Sequence, residues 1–232
     1  MPADLSRTVF GQRFQNPVLL AAGTAGFGRE VAGVIALDRL GGIVTKAVSR
    51  EPRAGNRAPR VAEFAAGMLN SVGLANPGLA RVREEQLPWL ERNLRDARVL
   101  VNVVGFAEDD FGHVVAGLEG FGCITAFELN LSCPNTHAGG LEFGADPATV
   151  ARVLERCAAR TRKPLIAKLS PALPDIAAMA LVAQGAGAAG VTVVNTMPGY
   201  RADAAGDPRL GNGDGGKQMS SCSAAGEDDA RG

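Results

Sequence analysis

Ile124-Thr125-Ala126-Phe127-Glu128-Leu129-Asn130-Leu131-Ser132-Cys133-Pro134-Asn135 starts as an aliphatic run and ends in a polar turn. A run of about four to eight mostly apolar residues closed by turn signals reads as a buried strand. Five other runs share the form: Val18–Ala22, Ile43–Val48, Val99–Val104, Leu165–Leu169 and Val191–Asn195. Helical patterns lie between them. Arg29–Leu40 spaces Val31, Val34, Ile35 and Leu37 as a helix would, and Leu79–Leu94 alternates Leu/Val with Arg/Glu, with Pro88 as a kink or break. Glu108–Leu118, Pro147–Thr161 and Pro174–Ala183 follow, with Asp146 placed to cap Pro147. Strands start at residues 18, 43, 99, 124, 165 and 191, and three of the five intervals are 25 or 26 residues. That repeat indicates a parallel α/β architecture. An open doubly wound sheet and a (β/α)8 barrel both fit the alternation. A barrel needs eight units and about 250 residues, and six runs are present here.

The chain of 232 residues carries 24 basic and 24 acidic side chains. A net charge of zero gives no broad footprint for nucleic acid or anionic lipid. Apolar residues at 46% and charged residues at 21% describe a globular protein. The 30 glycines suit tight strand–helix turns and close approach of backbone to a ligand. Cys123, Cys133, Cys157 and Cys222 form no C-x-x-C pair, and His113 and His137 are the only histidines, so no metal or iron–sulfur site is expected within the chain. Ile176 to Tyr200 carries no charge, but its glycines, Gln184 and Asn195 read as helix, turn and strand rather than a membrane span. The start, Met1-Pro2-Ala3-Asp4, has neither the basic nor the apolar region of a signal peptide, so a cytoplasmic location is expected.

The chemistry sits where the aliphatic runs turn polar. In a parallel α/β fold, the carboxyl ends of the strands form the active face. The runs end in or carry Ala22-Gly23-Thr24, Thr45-Lys46, Asn102, Asn130 with Ser132-Cys133-Pro134, Lys168 with Ser170, and Asn195-Thr196. A lone buried amide is as easily a satisfied core group. Two lysines and three asparagines inside apolar strands are costly unless they converge on a ligand. Asparagine offers an acceptor and two donors, matching the amide edges of a flavin or pyrimidine. Lysine suits a carboxylate or an anionic reduced flavin. Cys133 in its Ser-Cys-Pro turn is a candidate acid–base or nucleophile, whereas Cys123 and Cys157 read as inert core. The loop Asn70-Ser71-Val72-Gly73-Leu74-Ala75-Asn76-Pro77-Gly78 suits either substrate contact or an ordinary surface turn.

In order along the chain, these motifs resemble the dihydroorotate dehydrogenases, specifically the class 1B catalytic subunit. The matching segments are Asn16-Pro17-Val18, Ala22-Gly23-Thr24, Phe27-Gly28-Arg29-Glu30, Thr45-Lys46-Ala47, Arg53 through Glu63, Gly67 through Gly78, Val101-Asn102-Val103, Glu128 through Asn135, Lys168-Leu169-Ser170-Pro171 and Val194-Asn195-Thr196. The resemblance implies a (β/α)8 TIM-type barrel holding FMN, incomplete here with about six of eight strand–helix units. It implies oxidation of dihydroorotate to orotate in pyrimidine synthesis, with Cys133 removing the C5 proton and a hydride passing to the flavin. Substrate contacts map onto Lys46, Asn70, Ser71, Val72, Gly73, Leu74, Asn130, Asn195 and Thr196. Flavin contacts map onto Ala22, Gly23, Lys46, Ala47, Asn102, Asn130, Lys168 and Val194, with Ala22 standing where the family often has serine. The resemblance further implies a homodimer and a partner subunit carrying FAD and an iron–sulfur cluster.

The resemblance runs from residue 5 to residue 216 and stops at Lys217. Residues 1–200 are expected to form a partial FMN-binding barrel domain. Residues 201–232, with seven glycines and only Leu210 from the Val/Ile/Leu/Phe set, are expected to form a disordered tail left by truncation or a frameshift. Two alternatives share these features. One is another pyrimidine-directed flavin oxidoreductase, of the dihydropyrimidine dehydrogenase type, and the other is a non-catalytic remnant.

Overall fold

The computed structural model describes residues 3–64, 67–132 and 142–199. The strands are β1 (Arg7–Val9), β2 (Gln12–Phe14), β3 (Leu19–Leu20), β4 (Gly42–Val44), β5 (Val61–Phe64), β6 (Gly67–Asn70), β7 (Arg98–Val103), β8 (Ile124–Asn130), β9 (Leu165–Lys168) and β10 (Gly190–Thr192). The helices are α1 (Gly78–Arg81), α2 (Leu87–Asn93), α3 (Glu108–Leu118), α4 (Pro147–Ala158) and α5 (Ile176–Gly185). The chain divides into two compact units, residues 1–53 with 76–194, and residues 54–75 with 195–232.

The first unit is built on a six-stranded sheet of order β10-β9-β8-β7-β4-β3, parallel throughout. All six aliphatic runs are strands of this sheet. Each new strand is added beside the one before it in this sheet. A doubly wound sheet reverses direction at a switch point, and this order has none. It is the progression of a (β/α) barrel, six strands of which lie among the described residues.

Side chains alternate between the faces of a strand. On one face Val44, Leu100, Ala126 and Ile166 form a buried apolar cluster, closed by Phe14 and flanked by Phe10 and Ala22. Phe14 and Phe10 come from the β1–β2 hairpin, whose turn residues Phe10 and Gly11 both have positive φ, 55° and 70°. Two positive-φ residues make the tight turn whose twist matches a hairpin. The sequence reading missed this hairpin and also β5–β6, because strands of three or four residues carry too short a period to register. Val101, Val103, Phe127, Leu129 and Ala167 are fully buried at alternate positions, on the opposite face. Fully buried Phe111, Val114 and Val115 of α3 and Val150, Val153 and Leu154 of α4 complete the core.

Three helices form as expected, with local differences. Asp146 caps α4, accepting from Ala148 N, Thr149 N and the Thr149 hydroxyl, with Pro147 in the first turn. The uncharged stretch from Ile176 resolves into α5 and β10 with a turn between them. Pro88 does not break its helix. A π-helical segment, Val82–Gln86, lies between α1 and α2 and absorbs the irregularity a missing N–H creates. The helix expected over 29–40 is a correction: residues 29–34 are turns, and only Leu37–Arg39 forms a 3-10 turn. Gly33 interrupts the pattern, and the Glu30 carboxylate folds back onto the Phe27 N–H instead of leaving the segment free to continue. Val34, expected on an apolar face, is 88% exposed.

Candidate active site

The face of the sheet that carries the apolar cluster turns polar one step further along each strand. Leu100 is followed by Asn102, Ala126 by Glu128 and then Asn130, and Ile166 by Lys168. The parallel register pairs Asn102 with Glu128, Asn130 with Lys168, and Thr192 with Lys168. Side chains from four neighbouring strands therefore meet in one layer at the carboxyl ends, above an apolar floor. Asn102, Glu128, Asn130 and Lys168 are all buried.

Glu128 is the centre of this layer. Its Oε1 accepts from Asn102 Nδ2 at 2.7 Å, and its Oε2 accepts from the Thr192 hydroxyl at 2.6 Å. Lys168 Nζ lies 3.9 Å from Oε1. An ionised carboxylate can only accept, so the Asn102 NH2 must face it. That leaves Asn102 Oδ1 buried and without a hydrogen-bond partner. A buried acceptor left unpaired costs about 1–3 kcal/mol, and it fits a ring N–H of a flavin. The donor set fits as well: amides at Asn102 and Asn130 match the polar edge of the ring, and Lys168 brings a cation for its reduced, anionic form. The Ser132 hydroxyl is a second buried group without a partner.

Thr45 ties this layer to the next strand. The Asn102 N–H donates to the Thr45 hydroxyl at 3.3 Å, and the Lys46 N–H donates to Gly26 O at 2.7 Å. Lys46 and Ala47 are half-buried at the end of β4. Ala22, half-buried, and Gly23, exposed with φ of 91°, form the turn after β3. Asn130 Oδ1 accepts from the Ser132 N–H at 3.3 Å, turning the chain at the end of β8. Val194 follows β10 and is 39% exposed.

Five expected substrate contacts, Asn70, Ser71, Val72, Gly73 and Leu74, belong to the second unit. Asn56 organises that loop: its Nδ2 donates to Ser71 O at 3.1 Å and Ser71 Oγ at 2.8 Å, while its N–H donates to Val72 O at 3.1 Å. Gly73 has φ of 71°, and a Cβ there would stand 2.6 Å from Asn56 Oδ1, so the close approach requires glycine. Asn195 and Thr196 also fall in this unit, with the Thr196 hydroxyl donating to Asn195 Oδ1 at 3.4 Å. Asn76, from the same sequence loop, is buried in the first unit, where its Oδ1 accepts from the Ser49 and Gly78 N–H groups. Cys133 lies outside the described residues, as do residues 200–232.

Sequence reasoning missed Glu128 and Thr192 as members of this layer. For Glu128 a signal was present: it sits two residues before Asn130 in an apolar strand, hence on the same face. Among the described residues the cysteines are Cys123 and Cys157. Burial pushes the Cys157 thiol up to about 12. Burial, reinforced by the Glu91 charge, pushes Cys123 up to about 11. Among the described residues no cluster of His, Cys, Asp and Glu could hold a metal ion, and no helix is long and apolar enough to cross a membrane.

Residues 4–221 match the family model described as dihydroorotate dehydrogenase. The chain is 44% identical over 207 residues to the catalytic subunit of dihydroorotate dehydrogenase B (NAD(+)) from Geobacillus kaustophilus, covering 89% of this chain and 66% of that protein. It is 41% identical to the corresponding subunit from Latilactobacillus sakei, covering 88% of this chain and 66% of that protein. A dihydroorotate dehydrogenase A (fumarate) from Lactiplantibacillus plantarum is 41% identical, with 91% of this chain and 70% of that protein covered. The crystal structure of DHODH in complex with ferulenol from Eimeria tenella superposes with a TM-score of 0.69 at 24% identity, over 88% of this chain and 62% of that one, and supports the fold. The chain thus spans about two thirds of the length of the proteins it matches. By its family match, its relatives and the strand order of its sheet, this chain belongs to the dihydroorotate dehydrogenase family.

Proposed function

We propose that the chain is the catalytic part of a class 1B dihydroorotate dehydrogenase, oxidising dihydroorotate to orotate with FMN in pyrimidine synthesis. The observation that carries this reading is the polar layer at the strand ends, with the unpaired acceptor Asn102 Oδ1 beside the Glu128–Lys168 pair. Asn102, Asn130 and Lys168 hold the flavin ring, and Ala22, Gly23, Lys46, Ala47 and Val194 line it. Asn70, Ser71, Val72, Gly73, Leu74, Asn130, Asn195 and Thr196 bind the substrate, with Lys46 serving both ligands. Cys133 takes the C5 proton of the substrate. Bound FMN supplies the acceptor for the hydride that leaves C6. Lys168 supplies positive charge to the reduced ring, where a preorganised cation is worth more than in water. Residues 1–200 form the FMN-binding barrel portion and residues 201–232 a Gly-rich polar tail. The chain works in the cytoplasm as a homodimer, passing electrons to a subunit that carries FAD and an iron–sulfur cluster.

Titration of the purified chain with FMN, followed by anaerobic addition of dihydroorotate, tests the reading. The loops after the seventh and eighth strands of such barrels, which hold the phosphate, are not matched in this chain, so FMN binding by the chain alone is expected to be weak and is read at excess FMN. The bound flavin's absorbance is expected to bleach with dihydroorotate but not with dihydrouracil. Cys133→Ala is expected to keep FMN and lose the bleaching near neutral pH. Cys133→Ser should bleach slowly and only at higher pH, an alcohol being a far weaker acid than a thiol. Near-normal bleaching by Cys133→Ala would remove Cys133 from its role. Bleaching by dihydrouracil alone would favour the dihydropyrimidine dehydrogenase type, and failure to bind FMN would favour a non-catalytic remnant.

A further inference from the structure

We infer that Glu128 is the positioning residue of the flavin layer: it turns the Asn102 amide so that Oδ1 faces the ligand, and it sets the net charge presented with Lys168. The inference rests on the proposed function for the identity of that ligand. The geometry supplies the rest. Glu128 is 2% exposed, and a buried carboxylate persists only when paired and hydrogen-bonded. Its partners come from three different strands, Asn102 on β7, Lys168 on β9 and Thr192 on β10. The short contact to Asn102 Nδ2 and the acceptor-only chemistry of a carboxylate fix the amide's orientation. Without Glu128 the amide could rotate and present NH2 where an acceptor is required. The 3.9 Å separation from Lys168 is too long for a hydrogen bond, so Glu128 acts on the lysine through charge. Glu128 itself need not touch the ligand.

Two effects then separate. Orientation needs an acceptor at position 128, which glutamine retains and alanine lacks. Charge needs the carboxylate, which both variants lose. With Glu128→Gln the layer carries one more unit of net positive charge, which favours the anionic reduced flavin.

The test reads both. In ligand-free chain labelled with 15N, the Asn102 side-chain amide is assigned by its loss in Asn102→Ala. Its protons are expected to exchange slowly in the wild type and in Glu128→Gln, and fast in Glu128→Ala. An Asn102 amide as protected in folded Glu128→Ala as in the wild type, or unprotected in the wild type, overturns the orienting role. Should Glu128→Ala not fold, Glu128→Leu and the wild-type protection decide it. For charge, the affinities for oxidised and reduced FMN are compared. Glu128→Gln keeps the acceptor and removes only the charge. Its preference for reduced over oxidised FMN should rise about tenfold, the scale of one unit charge acting through a partly screened interior. An unchanged preference overturns the electrostatic role and leaves Glu128 a structural residue. If the wild type binds no FMN, the proposed function fails, while the amide readout still decides the orientation.

Discussion

Asp38 Oδ1 accepts from the backbone N–H groups of Arg95, Asp96 and Ala97 at 2.8, 2.9 and 2.9 Å, pinning the 3-10 turn before β4 to the chain that enters β7. Burial pushes this carboxyl up, but the three N–H donors together with the Arg95 charge outweigh it, and the group sits below its ordinary value of 3.8. A depressed acid contributes stability above its unfolded pKa and loses it as pH falls through the folded value. Asp38→Ala is therefore expected to lower stability by about 1–2 kcal/mol at neutral pH, the lower range for hydrogen bonds to a partly solvated charge. The deficit should shrink below about pH 4, where the wild type loses the same contribution. Asp38→Asn, which keeps a neutral acceptor, should fall between the two. Denaturant melts at pH 7 and pH 3 check this, and an equal deficit at both would refute it.

At the level of elements, α4 shows how far local chemistry carries. Asp146, Pro147 and Thr149 start the helix through contacts within four residues; Asp146 and Pro147 were legible from sequence, whereas the Thr149 contacts came from the structure. Asp146→Ala is expected to cost about 1 kcal/mol, the usual value of a lost N-cap, read as a shift in the denaturation midpoint at unchanged slope. Asp146→Asn should recover most of it. The segment over 29–40 is the contrasting case. Its apolar spacing matched a helix, yet Gly33 and the Glu30–Phe27 contact make it a series of turns. Periodicity reports which residues could share a face, whereas continuity of the backbone ladder decides whether a helix forms.

Over the whole first unit, the monotonic strand order leaves β3 and β10 as the outer strands of the sheet among the described residues. Both ends are apolar: Leu19 is 38% exposed, Val18 54% and Val191 41%. Exposed apolar edges recruit other strands, and lysine on an edge blocks such pairing. The chain of residues 1–232, expressed alone, is expected to associate in gel filtration. The double variant Leu19→Lys, Val191→Lys should shift it toward monomer without changing its circular dichroism. A wild-type chain that already elutes as a monomer would show that these edges are covered.

The six parallel strands, α3 to α5, and the residues Asn102, Asn130 and Lys168 as strand-end polar groups were determined by sequence alone. Their signals are local: a hydrophobic run, a cap, or a polar residue where an apolar one belongs. The choice of barrel progression over a doubly wound sheet was decided by tertiary structure, because strand neighbours are set by long-range hydrogen bonding that no single run encodes. The same holds for Glu128. Its place in the chain shows only an acid in an apolar strand. That it gathers Asn102, Lys168 and Thr192 follows from the parallel register, which aligns residues 26 to 64 positions apart on one face.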